Sequence, residues 1–178
     1  STDMTPDHWL LLARTIREEY EQYDGFVICH GTDTLAYTAA ALSYLIQNSP
    51  KPIVLTGAQK PIGQEITDAK ANLRDSILYA ADSLSCGVQI VFDGKVIAGT
   101  RAKKTKTLSY AAFSSINFPI LATIHDGRIN LIQPFPVNTI LALSISDSPE
   151  PSCMIPKFEA TGIFIIEQAV IERSRHWT

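Results

Sequence analysis

Three short apolar runs constrain this chain more than any other feature: Phe26-Val27-Ile28-Cys29, Pro52-Ile53-Val54-Leu55 and Val88-Gln89-Ile90-Val91-Phe92. Each is too short for a helix and too evenly apolar for a strand with one face in water, which points to strands buried on both sides of a parallel sheet. Parallel neighbours need crossover connections, and those crossovers cover the faces of the sheet. The intervening segments have that character. Thr5-Pro6-Asp7-His8 offers a hydroxyl cap, a proline where its missing N–H is harmless and an acid in the first turn. Trp9, Leu12, Ile16, Tyr20 and Tyr23 then recur at steps of three and four until Asp24-Gly25, which predicts one helix with a core-packed stripe headed by Trp9. A second, alanine-rich helix is expected from the His30-Gly31-Thr32-Asp33-Thr34 turn through Ile46, stopped by Pro50. A third is expected over 68–81, with Ala71, Leu73, Ile77, Leu78 and Ala81 on its apolar side. The fold class that follows is α/β: an open, mostly parallel sheet with helices on both faces. In such sheets ligands sit outside the carboxyl ends of the strands, where the His30–Thr34 and Thr56-Gly57-Ala58-Gln59 turns fall.

After the third run, Asp93-Gly94 turns into Lys95-Val96-Ile97-Ala98, a predicted hairpin. Ile120-Leu121-Ala122-Thr123-Ile124 and Asn130-Leu131-Ile132 read as short strands around the turn Asp126-Gly127. Prolines at 134, 136, 149, 151 and 156, with Ser and Asp between them, read as a linker. The expected organisation is therefore an α/β domain over 1–133 and a proline-rich linker with a short tail over 134–178.

Composition narrows the function. A formal net charge of -3 over 178 residues gives no bulk attraction to polyanions, so nucleic acid is not an expected partner. No apolar run approaches membrane-spanning length and residues 1–6 do not form a signal peptide, so neither membrane nor export is expected. Cys29, Cys86 and Cys153 are odd in number and widely spaced, which suits a reducing compartment. His8, His30, His125 and His176 make no ligand pair at helical spacing, and no metal is expected. The G-x-S-x-G, G-x-G-x-x-G and C-x-x-C patterns do not occur.

Two segments could carry chemistry. Thr32 and Asp33 sit where a buried strand feeds a helix; they could simply open that helix, or present a hydroxyl, a carboxylate and backbone N–H groups to a ligand. Arg101-Ala102-Lys103-Lys104-Thr105-Lys106-Thr107 reads as a solvated basic loop, as a phosphate loop lacking the glycine before its lysine, or as the source of one desolvated lysine that takes a proton from a threonine hydroxyl. Separately, neither segment decides among these.

Together they resemble one family. The stretch from Asp24 to Thr38 with its H-G-T-D-T motif, Val54-Leu55-Thr56-Gly57-Ala58-Gln59, and Phe92-Asp93-Gly94-Lys95-Val96-Ile97-Ala98-Gly99 followed by Arg101 through Phe113 are similar to bacterial-type L-asparaginases/glutaminases, most of all to the cytoplasmic type I branch. The resemblance covers roughly 1–133. It implies hydrolysis of L-asparagine, with L-glutamine as a second candidate, in the cytoplasm, without metal or organic cofactor. It also implies a homo-oligomer in which a smaller C-terminal domain of the neighbouring subunit completes each site. Residue by residue, Thr32, Asp33 and Lys104 match the family's catalytic threonine, aspartate and lysine; Lys104 is chosen over Lys103 and Lys106 by counting back from Phe113. Ser1 matches the serine that holds the substrate α-carboxylate, and Thr2 the variable position after it. Asp33 would also hold the α-amino group, Ala58 and Gln59 would fall in the turn that lines the amide pocket, and Gly31 counts among the substrate-binding residues. The family's T-G-G-T-I-A signature, which carries another catalytic threonine and belongs upstream of Ser1, has no copy among these 178 residues. The 178-residue chain by itself is therefore expected to turn over L-asparagine negligibly. The alternatives are a catalytically silent domain that binds aspartate-like ligands or a partner, and an asparaginase-like subunit of an archaeal tRNA-dependent amidotransferase.

Overall fold

The computed structural model describes residues 3–132 and, beyond them, the strand backbone at 144–145 and 163–167. In chain order the elements are α1 (Pro6–Glu19), β1 (Gly25–Cys29), α2 (Leu35–Leu45), β2 (Ile46–Gln47), β3 (Pro52–Thr56), α3 (Ala69–Ala80), β4 (Gly87–Phe92), β5 (Lys95–Ala98), β6 (Ala102–Lys104), β7 (Phe113–Ser115), β8 (Ala122–His125), β9 (Arg128–Leu131), β10 (Ser144–Ile145) and β11 (Ile163–Glu167). Among the described residues the main sheet has seven strands in the order β11-β1-β3-β4-β5-β8-β9. The first four run parallel, and the remainder is an antiparallel meander. β11 falls within the stretch read as linker and tail; it pairs in register with β1, Gly25 opposite Ile163 and Cys29 opposite Glu167.

The three apolar runs form β1, β3 and β4, and their alternation builds two cores. Phe26, Ile28, Ile53, Leu55, Ile90 and Phe92 meet Leu12 and Ile16 of α1 and Leu35, Ala39 and Leu42 of α2. Val27, Val54 and Val91 meet Tyr79 and Ala80 of α3 on the opposite face. Helices therefore cover both faces, and each wholly buried Leu, Ile or Phe contributes roughly 1.5–3 kcal/mol. Both predicted hairpin turns place two residues at positive φ, Asp93 (51°) with Gly94 (65°) and Asp126 (50°) with Gly127 (72°). That is the geometry whose twist matches the flanking strands.

Three sequence expectations need correction. The first helix stops at Glu19 rather than continuing to Tyr23. Tyr20 remains 2% exposed because its ring stacks on Phe26 at 5.9 Å, its hydroxyl lies 2.7 Å from Ser49 Oγ, and Lys51 Nζ takes its carbonyl, so side chains end the helix. In α3 the buried face is Asn72, Asp75, Ser76, Tyr79 and Ala80; Leu73, Ile77 and Leu78 pack half-buried against the second core as expected, whereas Ala71 and Ala81 are exposed. Of its polar members Asn72 serves the strand-end turns, Ser76 Oγ donates back to the Asn72 carbonyl and Asp75 pairs with Arg74, demands that apolar periodicity does not report. Finally, the basic segment is no free loop: β6 pairs antiparallel with β7, Lys104 opposite Phe113.

Candidate active site

β1 and β3 end side by side, joined past their last rungs by the His30 N–H donating to the Thr56 carbonyl at 2.8 Å. The turns that follow then diverge at the carboxyl end of the sheet. The β6–β7 ribbon comes to the same end, and its period-two alternation separates two adjacent lysines: Lys103 is exposed, while the Lys104 side chain is 17% exposed and turned inward. Lys104 Nζ donates to Thr32 Oγ1 and to Asp33 Oδ1, each at 2.8 Å. Asp33 keeps 59% of its side chain exposed, so Lys104 occupies one oxygen and leaves the carboxylate open to a second cation.

The hydrogen bond from Lys104, then its charge, hold the Asp33 carboxyl below its ordinary value. A carboxylate depressed in the folded state contributes stability above its unfolded pKa, about 4, and loses it as pH falls through the folded value. The expected result is an Asp33 carboxyl resonance that titrates below the normal carboxylate range and returns to it in Lys104→Met. The small stability difference between the two proteins should be full at pH 6 and vanish in strong acid. An Asp33 midpoint that Lys104→Met does not move would show that the pair does not form in solution.

Thr32 is held from a second direction. Its hydroxyl donates to Gln59 Oε1 at 3.1 Å, and Gln59 Nε2 donates to the carbonyls of Thr107 at 2.7 Å and Ser109 at 3.2 Å. Gln59 thus ties the Thr32 turn to the loop between β6 and β7. Gln59 is itself placed by α3. The Asp68 carboxylate accepts the N–H groups of Gln59 at 2.9 Å and Lys60 at 3.0 Å, and Asn72 donates to the Gly57 carbonyl while accepting the Asp93 N–H, both at 2.9 Å. Asp68 and Asn72 escaped the sequence reading; the available signal was a pair of short polar side chains one turn apart at the start of a helix that follows a glycine turn. Asn72 is 2% exposed, so Asn72→Leu would strand a buried acceptor and a buried donor. It should destabilise by about 2–4 kcal/mol in denaturant titration. A change under about 0.5 kcal/mol would mean the brace carries nothing.

Of the residues singled out in sequence, Gly31, Thr32, Asp33, Ala58, Gln59 and Lys104 lie at this one end of the sheet. Ser1 and Thr2 lie outside the described residues. A cavity of about 660 Å³ opens beside Asp33 between α2 and the ribbon, bordered by Tyr37, Lys103, Lys104 and Asn117. Among the described residues no three His, Cys, Asp or Glu side chains gather as a metal site, and no helix is long and apolar enough to cross a membrane.

The sequence and fold have counterparts among known proteins. A family model described as "Asparaginase, N-terminal" matches residues 1–136. The chain belongs to the asparaginase family. Among its asparaginase relatives, the L-asparaginase of Thermococcus kodakarensis is 44% identical over 129 residues, covering 72% of this chain and 39% of that protein. L-asparaginase 1 of Escherichia coli K12 is 42% identical over 132 residues, covering 73% and 39%. The solved thermostable L-asparaginase from Thermococcus kodakarensis superposes with a TM-score of 0.77 at 37% identity, over 81% of this chain and 43% of that one. The chain thus spans about two-fifths of the length of these asparaginases, and β11 lies beyond the residues that match the family.

Proposed function

We propose that the chain carries the threonine–aspartate–lysine part of a site that hydrolyses L-asparagine to L-aspartate and ammonia, with L-glutamine as a second candidate substrate. The supporting observation is Lys104 Nζ at 2.8 Å from both Thr32 Oγ1 and Asp33 Oδ1, groups 72 and 71 positions away in sequence. In this reading the open oxygen of Asp33 takes the substrate α-ammonium, and the turns holding Gly31, Ala58 and Gln59 border its amide. Ser1 and Thr2 are assigned to the α-carboxylate by family resemblance.

To accept a proton Lys104 must be the neutral amine, whose two N–H bonds still suffice for Thr32 Oγ1 and Asp33 Oδ1. Once neutral, it takes the proton of a hydroxyl whose oxygen bonds to the amide carbon. When the tetrahedral adduct collapses, the C–N bond breaks and the proton on Nζ passes to the departing nitrogen, which leaves as ammonia. Water then attacks the acyl carbon by the same route and releases the carboxylate. In the family that first oxygen belongs to the T-G-G-T-I-A threonine, with Thr32 handling protons and water; direct attack by Thr32 is the slower route open to these 178 residues alone.

Binding can be tested apart from turnover by titrating the chain with L-aspartate and following the amide resonances of Thr32, Asp33 and Gln59. Saturable shifts at all three, lost in Asp33→Ala, are the expected result. Binding with no ammonia release even from a chain extended upstream to carry T-G-G-T-I-A would favour the silent aspartate-binding domain instead. Absence of both would remove the site assignment.

A further inference from the structure

Behind the Thr32 turn, away from Lys104, lies a line of polar contacts that the proposed reaction does not use. Trp9 Nε1 donates to Thr38 Oγ1 at 3.0 Å, Thr38 Oγ1 lies 3.0 Å from His30 Nε2, and His30 Nδ1 lies 2.8 Å from the Gly31 carbonyl. Thr38 is fully buried and His30 is 6% exposed. Three elements contribute, α1, α2 and the end of β1, so no single turn or cap accounts for the arrangement.

The donors and acceptors permit one assignment. A carbonyl only accepts, so His30 Nδ1 carries the proton; an indole N–H only donates, so Thr38 Oγ1 accepts from Trp9 and passes its own proton to His30 Nε2. Every polar atom is then satisfied, with His30 as the neutral Nδ1–H tautomer. Protonating the imidazole would set two donors against Thr38 Oγ1 and leave the hydroxyl proton without an acceptor. Burial, the larger cause, also pushes the His30 pKa down, against the lift from its bond to Gly31. A buried threonine in a helix commonly bonds back to the carbonyl four residues earlier. Here that carbonyl, Thr34 O, takes the Thr38 backbone N–H at 3.0 Å, and the side chain serves the relay.

The far end of the relay is the Gly31–Thr32 peptide. Because that peptide is planar and trans, fixing its carbonyl against His30 turns the Thr32 N–H the opposite way and sets the direction in which Thr32 and Asp33 leave the strand. We propose that Trp9, Thr38 and His30 form a one-way hydrogen-bond relay whose work is to position the Thr32–Asp33 turn against Lys104. They are positioning residues: none of them touches Lys104, Thr32 Oγ1 or the Asp33 carboxylate. The inference rests on reading Thr32 and Asp33 as site residues, but its readouts are titrations rather than turnover, so a chain that hydrolyses nothing still tests it.

The experiment compares the chain with its Thr38→Val, Thr38→Ser and Trp9→Phe variants by NMR. In the parent, His30 should hold the Nδ1–H tautomer near neutral pH and titrate below the ordinary imidazole range. Its Nδ1 proton and the Trp9 indole proton should exchange slowly. Thr38→Val should make the Trp9 indole proton exchange roughly 10-fold faster, the equivalent of about one hydrogen bond, and shift the Asp33 carboxyl midpoint upward as the turn loosens from Lys104. Thr38→Ser keeps the hydroxyl and should restore both. Should Thr38→Val fail to fold, Trp9→Phe removes only the half-buried first donor and should give a smaller Asp33 shift of the same sign. A Thr38→Val or Trp9→Phe protein that is merely less stable, with the Asp33 midpoint unmoved, would overturn the proposal, as would His30 found as the Nε2–H tautomer in the parent.

Discussion

Ammonia release from L-asparagine by the 178-residue chain alone is expected to be negligible, and Lys104→Arg should remove all measurable activity from an extended chain that carries T-G-G-T-I-A upstream of Ser1. Arginine and lysine separate two roles that Lys104 combines. Both can pair with Asp33 at the end of β6, so Lys104→Arg should keep the Asp33 carboxyl depressed. Arginine cannot lose its proton in a protein, so it cannot accept one from a hydroxyl. If the role of Lys104 is proton transfer, Lys104→Arg and Lys104→Met should each lower kcat by ~1000-fold or more in the extended chain, within the range general acid–base groups supply. If its role is only to hold Asp33, Lys104→Arg should keep most of the activity. Thr32→Ala should be as damaging as Lys104→Met, and the double variant no worse than either, because groups that act as a unit are not additive. Family-level turnover by the unextended chain, abolished in Thr32→Ala, would reverse the reading and make Thr32 the attacking oxygen.

The contrast between Lys104 and its neighbours shows where sequence reasoning stops. Lys103, Lys104 and Lys106 differ in no way that composition records, and a run of basic residues reads as a solvated loop. What separates them is the pairing of β6 with β7, a ribbon contact that turns Lys104 inward and Lys103 out. The parallel core was legible because burial on both faces writes itself into the sequence as unbroken apolar runs, as at 26–29 and 52–55. The strand at 163–167 falls in the stretch that reads as linker and tail, since its partner β1 lies far back in the chain and parallel pairing across such a distance leaves no local mark. Trp9 shows a related limit. Its spacing fits the apolar stripe of α1, yet its indole N–H reaches Thr38, and periodicity records the apolar body of a tryptophan rather than its polar edge. Thr32 and Asp33 were legible as a turn at the carboxyl end of a buried strand; their lysine needed the family resemblance, and their braces Gln59, Asp68 and Asn72 needed coordinates to show what they hold.

Gly57→Ala should cause a large loss of stability. A Cβ built on Gly57 falls 2.3 Å from the His30 carbonyl oxygen and 3.4 Å from its carbonyl carbon. Both obstacles are backbone, so no side chain can swing aside. Relief requires moving the β3 turn off the β1 end by about 1 Å, because ordinary contact between a Cβ and an oxygen begins near 3.2–3.4 Å. That movement breaks or stretches the His30–Thr56 hydrogen bond of 2.8 Å and disturbs the Asn72 bond to the Gly57 carbonyl. Overpacking together with one or two lost buried hydrogen bonds comes to about 3–5 kcal/mol, or a fall in Tm of roughly 10 °C for a chain of this length. The same displacement carries Gln59 away from Thr32, so the Gln59 and Thr32 amide resonances should move in whatever fraction still folds. Gly63 is the internal control: a Cβ there meets nothing within 4 Å, and Gly63→Ala should stay within about 0.5 kcal/mol of the parent. If Gly57→Ala melted with Gly63→Ala, the close approach of the two strand ends could not be what sets the spacing between Gln59 and Thr32. The placement of the site on the β1 and β3 turns would then have to be rebuilt.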